Sequence, residues 1–150
     1  MLENQDFDEL VSILEDEKKT TLIFLEILRK EREVLTRGQI NDLDKIIADK
    51  SKTIDKLEAI NEQRSQYLLS HGYDKNKVGM QQWLDEHPFD AKLHELWDQL
   101  IILAKQAKQE NQTNGRAISL QLQYNQRSYL ALQSAAGNIS LYGPKGQVLI

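Results

Sequence analysis

Apolar residues recur along this chain at three- and four-residue spacing, the pattern of helices that bury one face and leave the other wet. Phe7, Leu10, Val11, Leu14, Thr21, Leu25, Leu28 and Leu35 form the first stripe. Asp6 can cap the helix that carries it, Asp8 and Glu9 suit its positive end, and Gly38 follows Arg37 as a stop, so a first helix is expected over about 6–37. Within it TLIFLEIL is apolar almost all round and should lie deepest. Leu43, Ile46, Ile47, Ile54, Leu57, Ile60, Tyr67 and Leu68 predict a second helix over about 42–70, with Lys50 interrupting the stripe and the glycine of HGY at 71–73 ending it. The short turn at Gly38 makes these two an antiparallel hairpin. Residues 72–89 form an irregular crossover, in which VGMQQWLDEH predicts a short helix that Pro88 halts, and Trp83 and Phe89 should pack this crossover onto the bundle.

The last helix is the long one. Asp90 is a good N-cap and nothing stops the pattern before Gly137, so a helix over about 90–136 is expected, roughly 47 residues or about 70 Å at 1.5 Å per residue. Leu93, Trp97, Leu100, Ala107, Asn111, Asn114, Ile118, Leu122, Tyr129, Leu132 and Ala136 fall on one line of it, the seam toward the hairpin. From Ala117 a second stripe runs about 120° away through Leu120, Tyr124, Ala131 and Ala135, with no counterpart in the first half. Two readings follow. Either this segment sits between two helices, or one stripe serves the bundle and the other is left for a partner's amphipathic helix. The expected fold is all-α: an antiparallel helical hairpin plus one long C-terminal helix in an elongated three-helix, coiled-coil-like bundle. It forms a single domain over 1–150 with a flexible tail at 137–150.

Composition sharpens this in two ways. With 40% apolar and 28% charged residues, seven Gly and two Pro, the chain suits long helices. The absence of Cys removes disulfides and thiolate metal sites, no run approaches the ~20 apolar residues of a membrane span, and MLENQDFDEL is acidic where a signal peptide would be basic. A soluble, cytoplasmic protein without membrane insertion is expected. The net charge of −4 argues against nucleic acid as the main partner. Its distribution is uneven: residues 1–103 hold 14 Lys/Arg against 22 Asp/Glu, whereas residues 104–150 hold five basic residues against Glu110 alone. Either the Gln-rich last third simply lacks acids, or it faces an acidic partner surface, which speeds encounter.

Chemistry is scarce. His71, His87 and His94 sit near predicted loops or helix starts, and no two have the i, i+4 spacing of a helical metal site. DEHPFD gathers carboxylates beside His87, but a solvated loop with a helix cap accounts for them. No nucleophile motif, phosphate loop or catalytic carboxylate pair is recognisable. No enzyme, cofactor or metal is expected. ENQTNGR at 110–116 stands out instead. Asn111 and Asn114 occupy the seam, and Gly115 costs the helix about 1 kcal/mol relative to Ala. Register control is the first reading of the two Asn, and a weak point that lets the C-terminal half adjust around a bound chain is the second.

At NQTNGRAISL, followed by SLYGPKGQ, the chain resembles the FlgN family of flagellar type III export chaperones. Such proteins share an antiparallel helical bundle, a long last helix with an Asn-x-x-Asn-Gly element and a mobile tail with a Leu-Tyr-Gly-x-x-Gly-Gln-like motif. Here these read Asn111, Asn114 and Gly115, then Leu141, Tyr142, Gly143, Gly146 and Gln147. RGQINDLDKIIADK is similar to the family's hairpin, where Gly38 precedes a helix carrying Lys50. The long crossover with Trp83 and Pro88 departs from the pattern.

The resemblance implies a cytoplasmic chaperone that holds the C-terminal helical segment of hook–filament junction (hook-associated) proteins, prevents premature assembly and delivers them to the export gate. Its partner-binding residues would be Asn114, Gly115, Ile118, Leu120, Leu122, Tyr124, Tyr129, Ala131 and Leu132 on the helix. Leu141, Tyr142, Gly143 and Gly146 would add to them in the tail. Tyr142 on its Gly143–Gly146 turn would be an aromatic anchor, of a kind that carries about 2 kcal/mol or more, unless it tucks onto its own bundle. The alternative is a structural coiled-coil adaptor that self-associates through its C-terminal helix.

Overall fold

The computed structural model describes residues 2–136, with the side chains of 9–39 and 41–132. Their regular structure is all helical: α1 (Leu2–Arg37), a 3-10 turn (Ile40–Asp42), α2 (Leu43–Ser70), α3 (Lys77–Glu86) and α4 (Ala91–Ala136). The chain divides into two compact units, Met1–Gln112 and Thr113–Ile150.

The helix ends follow local chemistry. Gly38 takes a left-handed φ of +69°, so Gln39 N–H donates to the Val34 carbonyl and closes α1. Gly72, at +84°, closes α2 in the same way through Tyr73 N–H to Leu68. The Asn76 side chain accepts from the Val78 and Gly79 amides and starts α3. Asp90 accepts from Leu93 N–H, as the sequence suggested for the start of α4.

In the first unit α1 and α2 pair antiparallel. Glu31 meets Lys50 at 3.1 Å and Glu17 meets Arg64 at 3.4 Å, so the register descends on one helix as it rises on the other. α1 and the first turns of α4 run the same way, with Glu15 bound to Lys92 and Lys18 to Gln99. One core cluster gathers Leu10, Leu14, Leu68, Met80, Trp83, Leu93 and Trp97, and a second joins Phe24, Leu25 and Leu28 to Ala107. The short helix of the crossover therefore forms a fourth helix that contributes Met80, Trp83 and Leu84 to the main core.

Several expectations need correction. Lys50 interrupts the α2 stripe because α1 answers it: the Glu31 side chain, only 2% exposed, occupies the facing position. TLIFLEIL is not uniformly deep. Phe24, Leu25, Ile27 and Leu28 are buried, but Leu22 and Ile23 flank that arc on opposite sides and are exposed. On α2, Ile47 is likewise exposed. Trp83 packs the crossover as expected, but Phe89 is 98% exposed. The space around Trp83 is already taken by Tyr67, His71, Tyr73 and His87, whose ring centres lie 4.4–5.5 Å away.

Gly79 and Gly115 are opposite cases. A Cβ on Gly79 would overlap the Asp74 carbonyl, because the 72–76 loop lies directly on α3. Nothing stands within 4 Å of one on Gly115. Gly79→Ala is expected to lower unfolding free energy by about 2 kcal/mol or more, and Gly115→Ala to raise it by up to about 1 kcal/mol. Urea titrations of the two variants check both signs.

Glu17 also sets a pH dependence. Burial pushes its carboxyl above the ordinary value of 4.5, and the Arg64 guanidinium, stacked 5.0 Å from the Trp97 ring, offsets this only in part. A carboxyl raised in the folded state holds its proton more tightly there than in the unfolded chain. Its contribution to stability therefore falls as pH rises from 4.5 through its own raised value. Glu17→Gln mimics the protonated form. Its stability should match the parent below pH 4.5 and exceed it increasingly toward neutrality, read from melts across that range.

Candidate partner-binding face

The site residues named from the sequence lie on the last third of α4 and in the tail. At 100° per residue, Ala107, Asn114 and Leu132 fall within about 20° of one line along the helix. Ala107 is 5% exposed and Asn114 2%, whereas Leu132 is 57% exposed. The apolar line thus runs on past the point where burial stops. Ile118 and Tyr129 are half-buried, while Leu120, Leu122, Tyr124 and Ala131 are exposed. Gly115 is exposed beside buried Asn114. Leu141, Tyr142, Gly143 and Gly146, together with Gln147, lie outside the described residues.

Of the two Asn, only Asn114 is buried. Asn111 is exposed, although it shares its angle on the helix with buried Leu93. Of the second stripe, Ala117, Leu120, Tyr124 and Ala131 are all exposed, and the side chain of Ala135 lies outside the described ones. Sequence periodicity also missed Leu130, which is exposed on neither stripe. With it, Leu120, Leu122, Tyr124 and Leu132 place five large apolar side chains in water within 13 residues. At 100° per residue these five point around the helix, and of them only Leu120 and Tyr124, about 40° apart with exposed Ala131 between them in angle, share one face.

The histidines serve structure. His71 Nδ1 meets the Tyr67 carbonyl at 2.8 Å and His87 Nδ1 the Trp83 carbonyl at 2.7 Å, so each closes the last turn of its helix. The Tyr73 hydroxyl donates to Glu86, which, with burial and the Glu86 charge, pushes the phenol up to about 12. Two grooves open in the first unit, one of about 700 Å³ along Val78, Trp97, Ile101 and Ile102 and one of about 460 Å³ along Glu17, Arg64 and Trp97. His87 lines neither. No group of three His, Cys, Asp or Glu able to hold a metal occurs among the described residues. No helix among them is long and apolar enough to cross a membrane.

A family model described as FlgN protein matches residues 1–149. The chain belongs to the FlgN family. FlgN proteins are flagellar export chaperones, so the exposed apolar face of α4 belongs to a family whose task is to bind other flagellar proteins. Searches of curated proteins and of solved structures found no match. The crossover that departs from the family pattern in sequence is α3, which completes the core of the first unit.

The exposure of the α4 face makes a direct prediction. Leu120→Asp with Tyr124→Asp removes no buried contact and should leave melting temperature and circular dichroism within the range of surface substitutions, about 0.5 kcal/mol. A large loss of helicity in that variant would show that these side chains belong to a core.

Proposed function

We propose that this FlgN-family protein is a cytoplasmic chaperone for hook–filament junction proteins. It holds their C-terminal helical segment on the distal part of α4, prevents premature assembly and presents them to the flagellar type III export gate. It works by binding alone, without catalysis or cofactor. The observation that carries this reading is the change in burial along one helical line, from Asn114 to Leu132, in a family of export chaperones. A cargo helix that will later pack into a filament exposes an apolar stripe before assembly. Covering it takes a complementary stripe of the kind that Ile118, Leu120, Leu122, Tyr124, Tyr129, Ala131 and Leu132 supply. In the tail, Tyr142 serves as an aromatic anchor for cargo or gate.

The competing reading is a structural adaptor, in which the same exposed leucines bury against a second copy of the chain. The two differ in what protects the helix. Hydrogen exchange on residues 110–150 should be fast in the free protein and slow once the C-terminal segment of a hook–filament junction protein is added. Leu120→Asp with Tyr124→Asp should abolish that protection, and Tyr142→Ala should leave the fold intact while impairing export. Slow exchange in the free protein, dependent on its concentration and indifferent to the segment, would favour the adaptor.

A further inference from the structure

Arg116 and Arg127 stand eleven residues apart on α4, which is about three turns and roughly 16.5 Å of rise. Eleven residues at 100° each bring the second guanidinium back to within about 20° of the first, so both project from one line of the helix. Both are exposed, and neither enters an ion pair among the described residues. Leu120 lies between them, about 40° from Arg116, with Tyr124 next to it, and both are exposed. No Asp or Glu follows Glu110 in the sequence. The face therefore reads cation, apolar pair, cation, with no carboxylate of its own to neutralise it.

Resting on the reading above, we infer that the occupant of this face is an acidic amphipathic helix. Two of its carboxylates, also eleven residues apart on one line, meet Arg116 and Arg127, and its apolar positions between them cover Leu120 and Tyr124. The Leu and Tyr supply the contact area and the two guanidinium groups fix the register. A slip by one turn would move both acids about 5.4 Å from their partners and set apolar groups against charge. Arg suits this role because its fork meets a carboxylate through two parallel hydrogen bonds. A helix with lysines at the two positions would place four cations together and be rejected.

Two fluorescein-labelled helical peptides with the same apolar stripe test the inference on the full-length protein by anisotropy. One carries Glu at the two positions eleven residues apart, and the other carries Lys there. The Glu peptide is expected to bind about tenfold tighter at low salt, with the gap closing as salt approaches about 1 M, where screening reaches contact range. Arg116→Glu with Arg127→Glu should invert the preference, and the milder Arg116→Gln with Arg127→Gln should erase it should the reversal disturb the helix. Equal affinity for the two peptides, or binding of neither while the junction-protein segment still binds, overturns the inference and leaves the proposed function standing. Failure of both peptides and of the segment overturns both.

Discussion

An apolar line on a helix is stable in water only where another surface covers it, and α4 keeps large apolar side chains exposed over its distal part. α4 has 46 residues, α1 has 36 and α2 has 28. The covered part is built with care: Leu93, Trp97, Leu100 and Ala107 join core clusters shared with α1 and α2. The uncovered part keeps its apolar residues and loses its acids. The flexible-backbone glycine at position 115 and the buried amide at position 114 mark where one regime gives way to the other.

The polar groups of the first unit show how that unit holds a single register. Glu31 with Lys50 and Glu17 with Arg64 tie α1 to α2 at two levels, and Arg64 reaches on to the Trp97 ring of α4. Glu17 Oε2 and Arg64 Nε remain buried without a hydrogen-bond partner, and the Glu17 carboxyl is raised by its burial. Such a pair adds little net stability, because desolvation offsets attraction, but it penalises every slipped pairing of the hairpin.

Much of the fold was legible because helix signals are local. Gly38, Gly72, Asp90 and the i, i+3, i+4 stripes predict the ends and faces of the helices from chemistry within a few residues. What was not legible depended on neighbours distant in sequence. Lys50 looks like an interruption until Glu31, 19 positions away, is placed against it. Trp83 and Phe89 are equivalent in pattern, yet only one fits, because His71 and His87 fold back on their own helix ends and leave a single slot. For the candidate site the periodicity located the seam but could not say where its cover ended, so Leu122 and Leu132 read as core. Leu130 escaped because it belongs to neither stripe, and only exposure identifies it.

The uneven charge has a consequence for which molecules reach the exposed face. With −8 over residues 1–103 and +4 over residues 104–150, an acidic helix is repelled by the first stretch and drawn to the second. The same field favours association of the basic part of one copy with the acidic part of another, so self-association and partner binding weaken together as salt rises. Salt dependence alone therefore does not separate a chaperone from an adaptor. Geometry does. A second copy offers no distal carboxylates to Arg116 and Arg127, because no Asp or Glu follows Glu110, so like segments paired through these faces repel. The charge pattern that attracts an acidic helix thus also discourages the distal segment from pairing with itself, which leaves its leucines and Tyr124 open to a different molecule.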